Sequence, residues 1–346
     1  MTTRSMLALA LLVVLGGCLP HVDVDESLVR SPRVIAVRAT PAEAAPGEAV
    51  SLEALYVGPD GTIGAAVIDW ARCDARLPLA ELGPINPVCL GFEDPLLVSQ
   101  GLGARVDGTI SREACRLFGP DPPPAQPGEP AGRIVDPDVT GGYYQPFRVI
   151  EPDDDAIVLA EVRLACGVAG ATQAQASELR QRRRPNLAPR LDLVFAQRAD
   201  GSDALVDPDV PLEVRVGETI TLEAGWPVCP LEDVCGDTIC GPDETLTTCA
   251  DDCRTARGCE GAERYVRFDP EARAIVVERE SMRVAWHTTA GSFEIERSGR
   301  SGADDSTYAV SRWRAPDAAT TAVLWMVVRD ARGGVGWTER RIVVVE

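Results

Sequence analysis

The sequence has few of the side chains that most hydrolases and metalloenzymes use. Only two of its 346 residues are histidine, His21 and His287. The nucleophile motif G-x-S-x-G, the zinc motif H-E-x-x-H and a glycine-rich phosphate loop are all absent. General acid–base and nucleophilic catalysis usually need a histidine or a free thiol. We therefore expect that the protein is not an enzyme and needs no cofactor.

Lysine and aromatic side chains are also scarce or absent. The sequence contains no lysine, so all 34 basic residues are arginine, and 53 acidic residues give a net charge of −19. Such a chain should repel nucleic acid, which excludes it as a partner. Aromatic residues make up 5% of the chain, which argues against an aromatic platform for sugars. The one basic run, Arg180 to Arg184, is interpreted as a solvated interdomain link in preference to an anion-binding patch.

No apolar run is long enough to span a bilayer, which takes about 20 residues. The longest N-terminal run, Met6–Leu15, follows Arg4 and leads into Leu15-Gly16-Gly17-Cys18. This segment resembles the lipobox of bacterial lipoproteins, although an ordinary secretory signal is the alternative. The resemblance implies that residues 1–17 are a signal peptide and that Cys18 carries the lipid anchor. It also implies export, with Leu19 after the cysteine favouring the outer membrane.

The other ten cysteines are an even number, and an exported chain meets an oxidising compartment. The sequence therefore predicts disulfide bonds, but it does not choose among the pairings within two groups. The first group is Cys73, Cys89, Cys115 and Cys166, and the second is Cys229, Cys235, Cys240, Cys249, Cys253 and Cys259.

Short alternating runs separated by turn residues predict an all-β protein. After a tether at residues 18–31, a first domain at 32–171 contains a long insertion rich in proline and glycine at 76–142. Its segments "ATPAEAAPGEAVSLEALYVGPDG" and "DWARC" resemble the immunoglobulin-like domains of bacterial surface proteins. We expect Trp70 in the core of this β-sandwich. The predicted strands are Arg33–Ala39, Ala49–Val57, Ile68–Cys73, Tyr143–Ile150 and Ala156–Cys166.

A helical, basic linker at 172–188, with its helix at Gln173–Arg184, precedes a second domain at 189–346. The terminal hairpin "AVLWMVVRDARGGVGWTERRIVVV" resembles the last strands of immunoglobulin-like repeats. The fold class is therefore two immunoglobulin-like β-sandwiches in tandem, the second interrupted by a disulfide-rich insertion at 227–262. Its predicted strands are Arg190–Phe195, Val210–Val216, Glu218–Ala224, Met282–His287, Ser292–Ile295, Thr307–Trp313, Thr321–Arg329 and Gly336–Val345.

The insertion contains "CGDTICGPDETLTTCADDC", which resembles a short cysteine repeat of secreted myxobacterial proteins. Thr238 stands where that repeat has glycine, and Leu246 stands where it has a cysteine. About thirty residues with few apolar side chains need disulfides to fix their shape. Zinc is disfavoured because there is no C-x-x-C pair and no nearby histidine. A calcium site is the alternative to solvated loop carboxylates, with Asp237, Asp243, Glu244, Asp251 and Asp252 as the candidate ligands.

The leading hypothesis is a non-enzymatic lipoprotein of the cell envelope. It would act as a binding, adhesion or structural module through its immunoglobulin-like domains. Its expected partners are the membrane, through the lipid on Cys18, and a protein or glycan. One alternative is a carbohydrate-active or glycan-binding surface protein that uses aspartate and glutamate. Another is an adhesin module stabilised by calcium.

Overall fold

A computed structural model describes residues 25–64, 67–76, 85–120, 140–153, 155–254 and 258–346. Within these ranges the chain forms twenty strands, while its three α-helices are short. The prediction of an all-β protein is confirmed. The predicted signal peptide and Cys18 lie outside the described residues.

The first domain is a β-sandwich of a three-stranded and a five-stranded sheet, with strand orders β1-β3-β6 and β2-β8-β7-β4-β5. A 3₁₀ turn at Pro87–Leu90 and a short helix α1 at Ala114–Leu117 lie in its connections. The strands are β1 (Arg33–Thr40), β2 (Glu43–Ala44), β3 (Ala49–Val57), β4 (Asp69–Cys73), β5 (Leu97–Leu102), β6 (Arg105–Thr109), β7 (Tyr144–Ile150) and β8 (Ile157–Leu164).

The core of this domain lies between the two sheets. Along β3 the alternate residues Val50, Leu52, Ala54 and Tyr56 point into it, as the period of two predicts. Trp70 on β4 is fully buried, and its Nε1–H donates to the carbonyl oxygen of Gly103 at 2.7 Å. The expectation that Trp70 is a core residue is confirmed.

The predicted irregular insertion at 76–142 contains two regular strands in its middle, so that part of the prediction is wrong. Strands β5 and β6 belong to the two sheets, pairing with β4 and β3 respectively. Their signal is weak because Gly101 and Gly103 interrupt the alternation with φ angles of 118° and 139°, which favour glycine. Residues 77–84 and 121–139 of this insertion lie outside the described residues.

The second domain is a larger sandwich of two five-stranded sheets, with strand orders β10-β9-β12-β18-β16 and β11-β20-β19-β15-β17. Trp286 and Trp313 are fully buried between the sheets. The strands are β9 (Leu193–Gln197), β10 (Asp203–Leu205), β11 (Leu212–Arg215), β12 (Thr219–Gly225), β15 (Met282–Thr288), β16 (Ser292–Phe293), β17 (Arg297–Arg300), β18 (Tyr308–Arg314), β19 (Thr320–Arg329) and β20 (Val335–Val345).

The chain follows the same order of strands in each of the two domains. In each, the first strand pairs antiparallel with a later strand of its own sheet, β1 with β3 and β9 with β12. A short following strand then lies in the opposite sheet and pairs parallel with the last strand of the domain, β2 with β8 and β11 with β20. The chain therefore contains two copies of the same sandwich topology.

The insertion of the second domain is longer than the predicted 227–262. After the cysteine cluster and its helix α3 (Ala250–Cys253), a hairpin of β13 (Arg264–Asp269) and β14 (Ala274–Arg279) extends it to about residue 280. Helix α2 (Gln173–Arg182) begins at a Thr172–Gln175 capping box and packs Leu179 against this hairpin. The helix ends before the predicted Arg184, since Pro185 disfavours a helical conformation there.

The two sandwiches are packed against each other through an apolar interface. Trp325 and Val327 on the outer face of β19 contact Ala36 on β1 and Leu55 on β3. Ala322 to Val328 are therefore all buried, because β19 has the core on one side and the first domain on the other. Gly61 lies so close to β19 that a Cβ there would be 2.4 Å from the Cγ2 of Val323.

Part of the predicted tether is not a tether. Ser27 and Val29 are buried, and the segment runs beside β15 of the second domain. Val29 N–H donates to the carbonyl of Thr288 at 2.9 Å, and Thr288 N–H donates to that of Ser27 at 2.8 Å. This backbone pairing explains why a polar, acidic stretch without periodicity is held in place.

Candidate functional site

All ten predicted cysteines form disulfide bonds, and every bond stays within its own group. Two bonds hold connections of the first sandwich, Cys73–Cys89 and Cys115–Cys166. Cys229–Cys259 closes the base of the insertion, and two further bonds, Cys235–Cys249 and Cys240–Cys253, cross its centre. The prediction of a disulfide framework is confirmed, and the pairing comes from the structure alone.

The insertion contains two groups of three residues that could each hold a metal ion. Within each group the three potential ligand atoms lie within 4.8 Å of one another. One is Cys235, Cys249 and Asp252, and the other is Cys240, Glu244 and Cys253. Their cysteines are bonded to each other as disulfides, so they offer no thiolate to a metal ion. Neither group is a metal site in the oxidised protein.

The five carboxylates predicted as calcium ligands do not converge, because most of them already have partners in the insertion. Asp252 accepts from the backbone N–H groups of Gly236 at 2.6 Å and Thr238 at 3.0 Å. Glu244 accepts from the N–H of Gly241 at 2.8 Å, and Asp237 from that of Ile239 at 2.8 Å.

The other two candidates point elsewhere. Asp243 forms an ion pair with Arg182 at 2.6 Å, and Asp251 is exposed to solvent. In the part of the chain that the structure describes, no three of the five carboxylates lie within 4.8 Å of one another. The predicted set of ligands is therefore not assembled.

The basic run is neither a solvated link nor an open anion patch. Arg182 pairs with Asp243 of the insertion, and Arg183 pairs with buried Glu43 of the first sandwich. Arg184 donates to the carbonyl oxygen of Glu244 at 2.8 Å. These three side chains tie the linker to both the first domain and the insertion, and sequence alone does not show which acid each one meets.

A buried ionic cluster lies where linker, insertion and both domains meet. Arg332, in the last hairpin, is 2% exposed and donates to Glu280 at 2.6 Å and to Glu263. Asp330 accepts from the side-chain amide of Asn186 at 3.1 Å, and burial raises the pKa of its carboxyl. The sequence places both charged residues in a hairpin turn, where a solvated side chain is the ordinary expectation.

A second feature that the sequence did not reveal is a cleft on the outer face of the second sandwich. It has a volume of about 680 Å³, and Ile35 of the first domain forms one wall. The lining contains no carboxylate. Its titratable side chains come from β15, β17 and the end of β19, and they are Arg283, His287, Arg297, Arg300 and Arg329.

The electrostatics of this cleft follow from burial and like charge. Burial lowers the pKa of His287 to about 4, and Arg33, Arg329 and Arg297 lower it further, so the ring is neutral at pH 7. The backbone of Glu26 offsets part of this shift, and the buried Nδ1 of the ring has no hydrogen-bond partner among the described residues. Burial also lowers the pKa of Arg329, with Arg297 adding to the shift. The cleft therefore concentrates positive charge in an acidic protein.

No helix within the described ranges is long and apolar enough to cross a membrane. Cys18 and His21 lie outside those ranges.

No protein-family model and no curated protein matches the chain. Among solved structures it is similar to E. coli alpha-2-macroglobulin, with 12% identity and a TM-score of 0.20 over 93% of this chain and 17% of that one. It is also similar to PorU from Porphyromonas gingivalis, with 12% identity and a TM-score of 0.18 over 91% of this chain and 24% of that one. A structure named BspA_C_mut gives 8% identity and a TM-score of 0.21, covering 88% of this chain and 93% of that one. At these scores the likenesses carry no argument about function.

Proposed function

We propose that the protein is an exported lipoprotein of the bacterial cell envelope, anchored through Cys18 and acting as a non-enzymatic binding or structural module. The sequence support is the apolar run followed by Leu-Gly-Gly-Cys at residues 15–18. The structural support for export is the pairing of ten cysteines as five disulfides, since disulfides persist in oxidising compartments.

The modules of this proposal are immunoglobulin-like. Immunoglobulin-type sandwiches have the first, second and fifth strands in one sheet and the third, sixth and seventh in the other. The orders β1-β3-β6 and β8-β7-β4, and in the second domain β9-β12-β18 and β20-β19-β15, fit that arrangement. Such domains present their loops and sheet edges as contact surfaces.

The observation that carries the proposal is the fusion of two sandwiches into one body. The apolar cluster of Trp325 and Val327 with Leu55 joins the two domains, and the guanidinium of Arg38 lies over the Trp337 ring at 4.2 Å. A module whose two domains are packed into one body presents a preorganised ligand surface and loses little entropy on binding.

Metabolic labelling with a clickable fatty acid in a diderm bacterial host tests the anchor. The intact chain should take up the label and fractionate with membranes, outer membranes in particular. The Cys18→Ala variant should lose both properties, while Cys89→Ala, which removes a disulfide cysteine, should keep the label. Labelling that persists in Cys18→Ala would contradict the proposal.

The non-enzymatic part has its own test. The purified mature protein should not turn over panels of peptide, ester, glycoside and phosphoester substrates. Turnover that a single Asp→Asn or Glu→Gln substitution abolishes would overturn this part and leave the anchor untouched.

A further inference from the structure

The cleft beside β15 and β17 has a composition that the chain as a whole does not predict. The sequence has 53 acidic and 34 basic residues, so an average stretch of surface carries more carboxylates than guanidinium groups. The lining of this cleft has four arginines and no carboxylate, and only Arg297 and Arg300 pair with carboxylates outside the lining, Glu26 and Asp304. Collecting like charges in a concave site raises the free energy of the empty protein, and a bound anion would offset that.

Arg329 lies at the inner end of the cleft and has no carboxylate partner among the described residues. Its guanidinium is largely buried, and its one hydrogen bond runs to the carbonyl oxygen of Ile35 at 3.3 Å. The like charge of Arg297 acts on this guanidinium. A guanidinium has five N–H donors, so most of the donors of Arg329 are available to a ligand.

Two further arginines stand at the open side of the cleft. Arg283 lies on the outer face of β15 with Ala285 and His287, since alternate residues of a strand share a face. The side chain of Arg283 makes no hydrogen bond or ion pair with any residue that the structure describes. Arg297 on β17 pairs with Glu26 at 2.6 Å, and both side chains are more than half exposed. Such an exposed pair is weak and exchanges readily with another anion.

We propose that this cleft binds a phosphate group, with Arg283, Arg297 and Arg329 donating hydrogen bonds to its oxygens. Guanidinium groups form forked, charge-assisted hydrogen bonds with phosphate oxygens. A phosphate dianion neutralises the positive charge of more than one arginine, whereas a single carboxylate neutralises the charge of one. The neutral ring of His287 adds a polar contact without adding charge.

The segment that leads from Cys18 supplies an internal competitor. Glu26 pairs with Arg297 and therefore competes with a phosphate for that guanidinium. Residue 26 is eight residues after Cys18, which places the cleft at most about 30 Å from the proposed lipid. A phosphorylated lipid headgroup and a soluble phosphate compound both have access to it.

The test uses the full mature chain with Cys18→Ser, exported and oxidised. One arm titrates it with inorganic phosphate and pyrophosphate in a calorimeter, with acetate as the comparison anion. The other arm sediments it with phosphatidylcholine vesicles that do or do not contain phosphatidic acid. Saturable binding in the first arm identifies a soluble phosphate ligand, and binding only to phosphatidic acid vesicles identifies a headgroup. Either result supports the site.

The variants then locate the binding. Arg283→Gln, which removes no hydrogen bond or ion pair among the described residues, should weaken binding by about tenfold, as expected for the loss of a charge-assisted hydrogen bond. Glu26→Gln should strengthen it, because the competitor is removed. Arg312→Gln, on the opposite sheet and 59% exposed, should change nothing. The absence of saturable binding in both arms, or equal binding by the chain with and without Arg283→Gln, would overturn the proposal.

Discussion

Arg332 and Glu280 form an ion pair at 2.6 Å in which both side chains are at most 2% exposed. The guanidinium belongs to the last hairpin of the second sandwich, and the carboxylate ends the disulfide-rich insertion. Glu263 contacts the same guanidinium, so one arginine joins both ends of the insertion's hairpin to the domain.

Removal of this arginine should destabilise the protein severely. Arg332→Ala leaves Glu263 and Glu280 buried without their partner, and breaking a buried pair in this way typically costs about 3–5 kcal/mol. The free energy of unfolding from urea denaturation measures the effect. Arg341→Ala, which removes a pair with Glu339 whose arginine is 55% exposed, should change that free energy by less than about 1 kcal/mol. Similar losses in the two variants would contradict the role of Arg332.

Thr238 offers a stabilising substitution. Its φ of 72° is in the left-handed region, which favours glycine. Thr238→Gly should raise the free energy of unfolding by about 1 kcal/mol, since glycine adopts this conformation without a Cβ clash. Thr238→Ala keeps the Cβ and should bring no such gain. Thermal melting under oxidising conditions distinguishes the two, and equal melting temperatures would refute the explanation.

The apolar interface should unfold together with the sandwiches. Trp325→Ala removes a fully buried side chain that contacts the first domain, and such truncations typically cost about 3–5 kcal/mol. Calorimetry should show a single transition for the unsubstituted chain. In Trp325→Ala the transition should fall in temperature and split, as the two domains lose their contact. An unchanged single transition would show that the contacts of Trp325 do not couple them.

His287 makes stability depend on pH. Its pKa of about 4 lies below the ordinary value of 6.5, so the unfolded chain binds the proton more tightly. Stability should therefore fall as the pH drops from about 6.5 to 4, by on the order of 2–3 kcal/mol for this group. Denaturation of the unsubstituted chain and of His287→Gln at several pH values measures the difference. If both lose the same stability over that range, the histidine does not titrate as described.

Local sequence patterns correctly predicted individual strands and hairpins. The strand Ala49–Val57 has the predicted bounds because its inner face alternates regularly, and the terminal hairpin is recognisable by its two runs around a glycine turn. The apolar run in β19 is longer and more continuous than a strand buried on one face requires. Its unbroken apolar stretch reflects burial on both faces, which is a signal for the interdomain contact.

Long-range pairings could not be predicted. The even cysteine count indicates disulfides, but only the folded insertion brings Cys235 to Cys249. The acidic loop looked suitable for calcium because sequence does not show that the carboxylate of Asp252 is already occupied by backbone N–H groups. Arg283 and Arg329 meet in the cleft only because β15 and β19 are neighbouring strands.

The most direct test of the account asks whether the two sandwiches move as one body. The chain has no lysine, so Arg116→Lys in the first domain and Arg312→Lys in the second give two unique sites for amine-reactive spin labels once the N-terminal amine is blocked. Both positions are about 60% exposed. Pulsed dipolar spectroscopy should give a single narrow distance distribution, unchanged by moderate salt. A broad or bimodal distribution would contradict the rigid two-domain module.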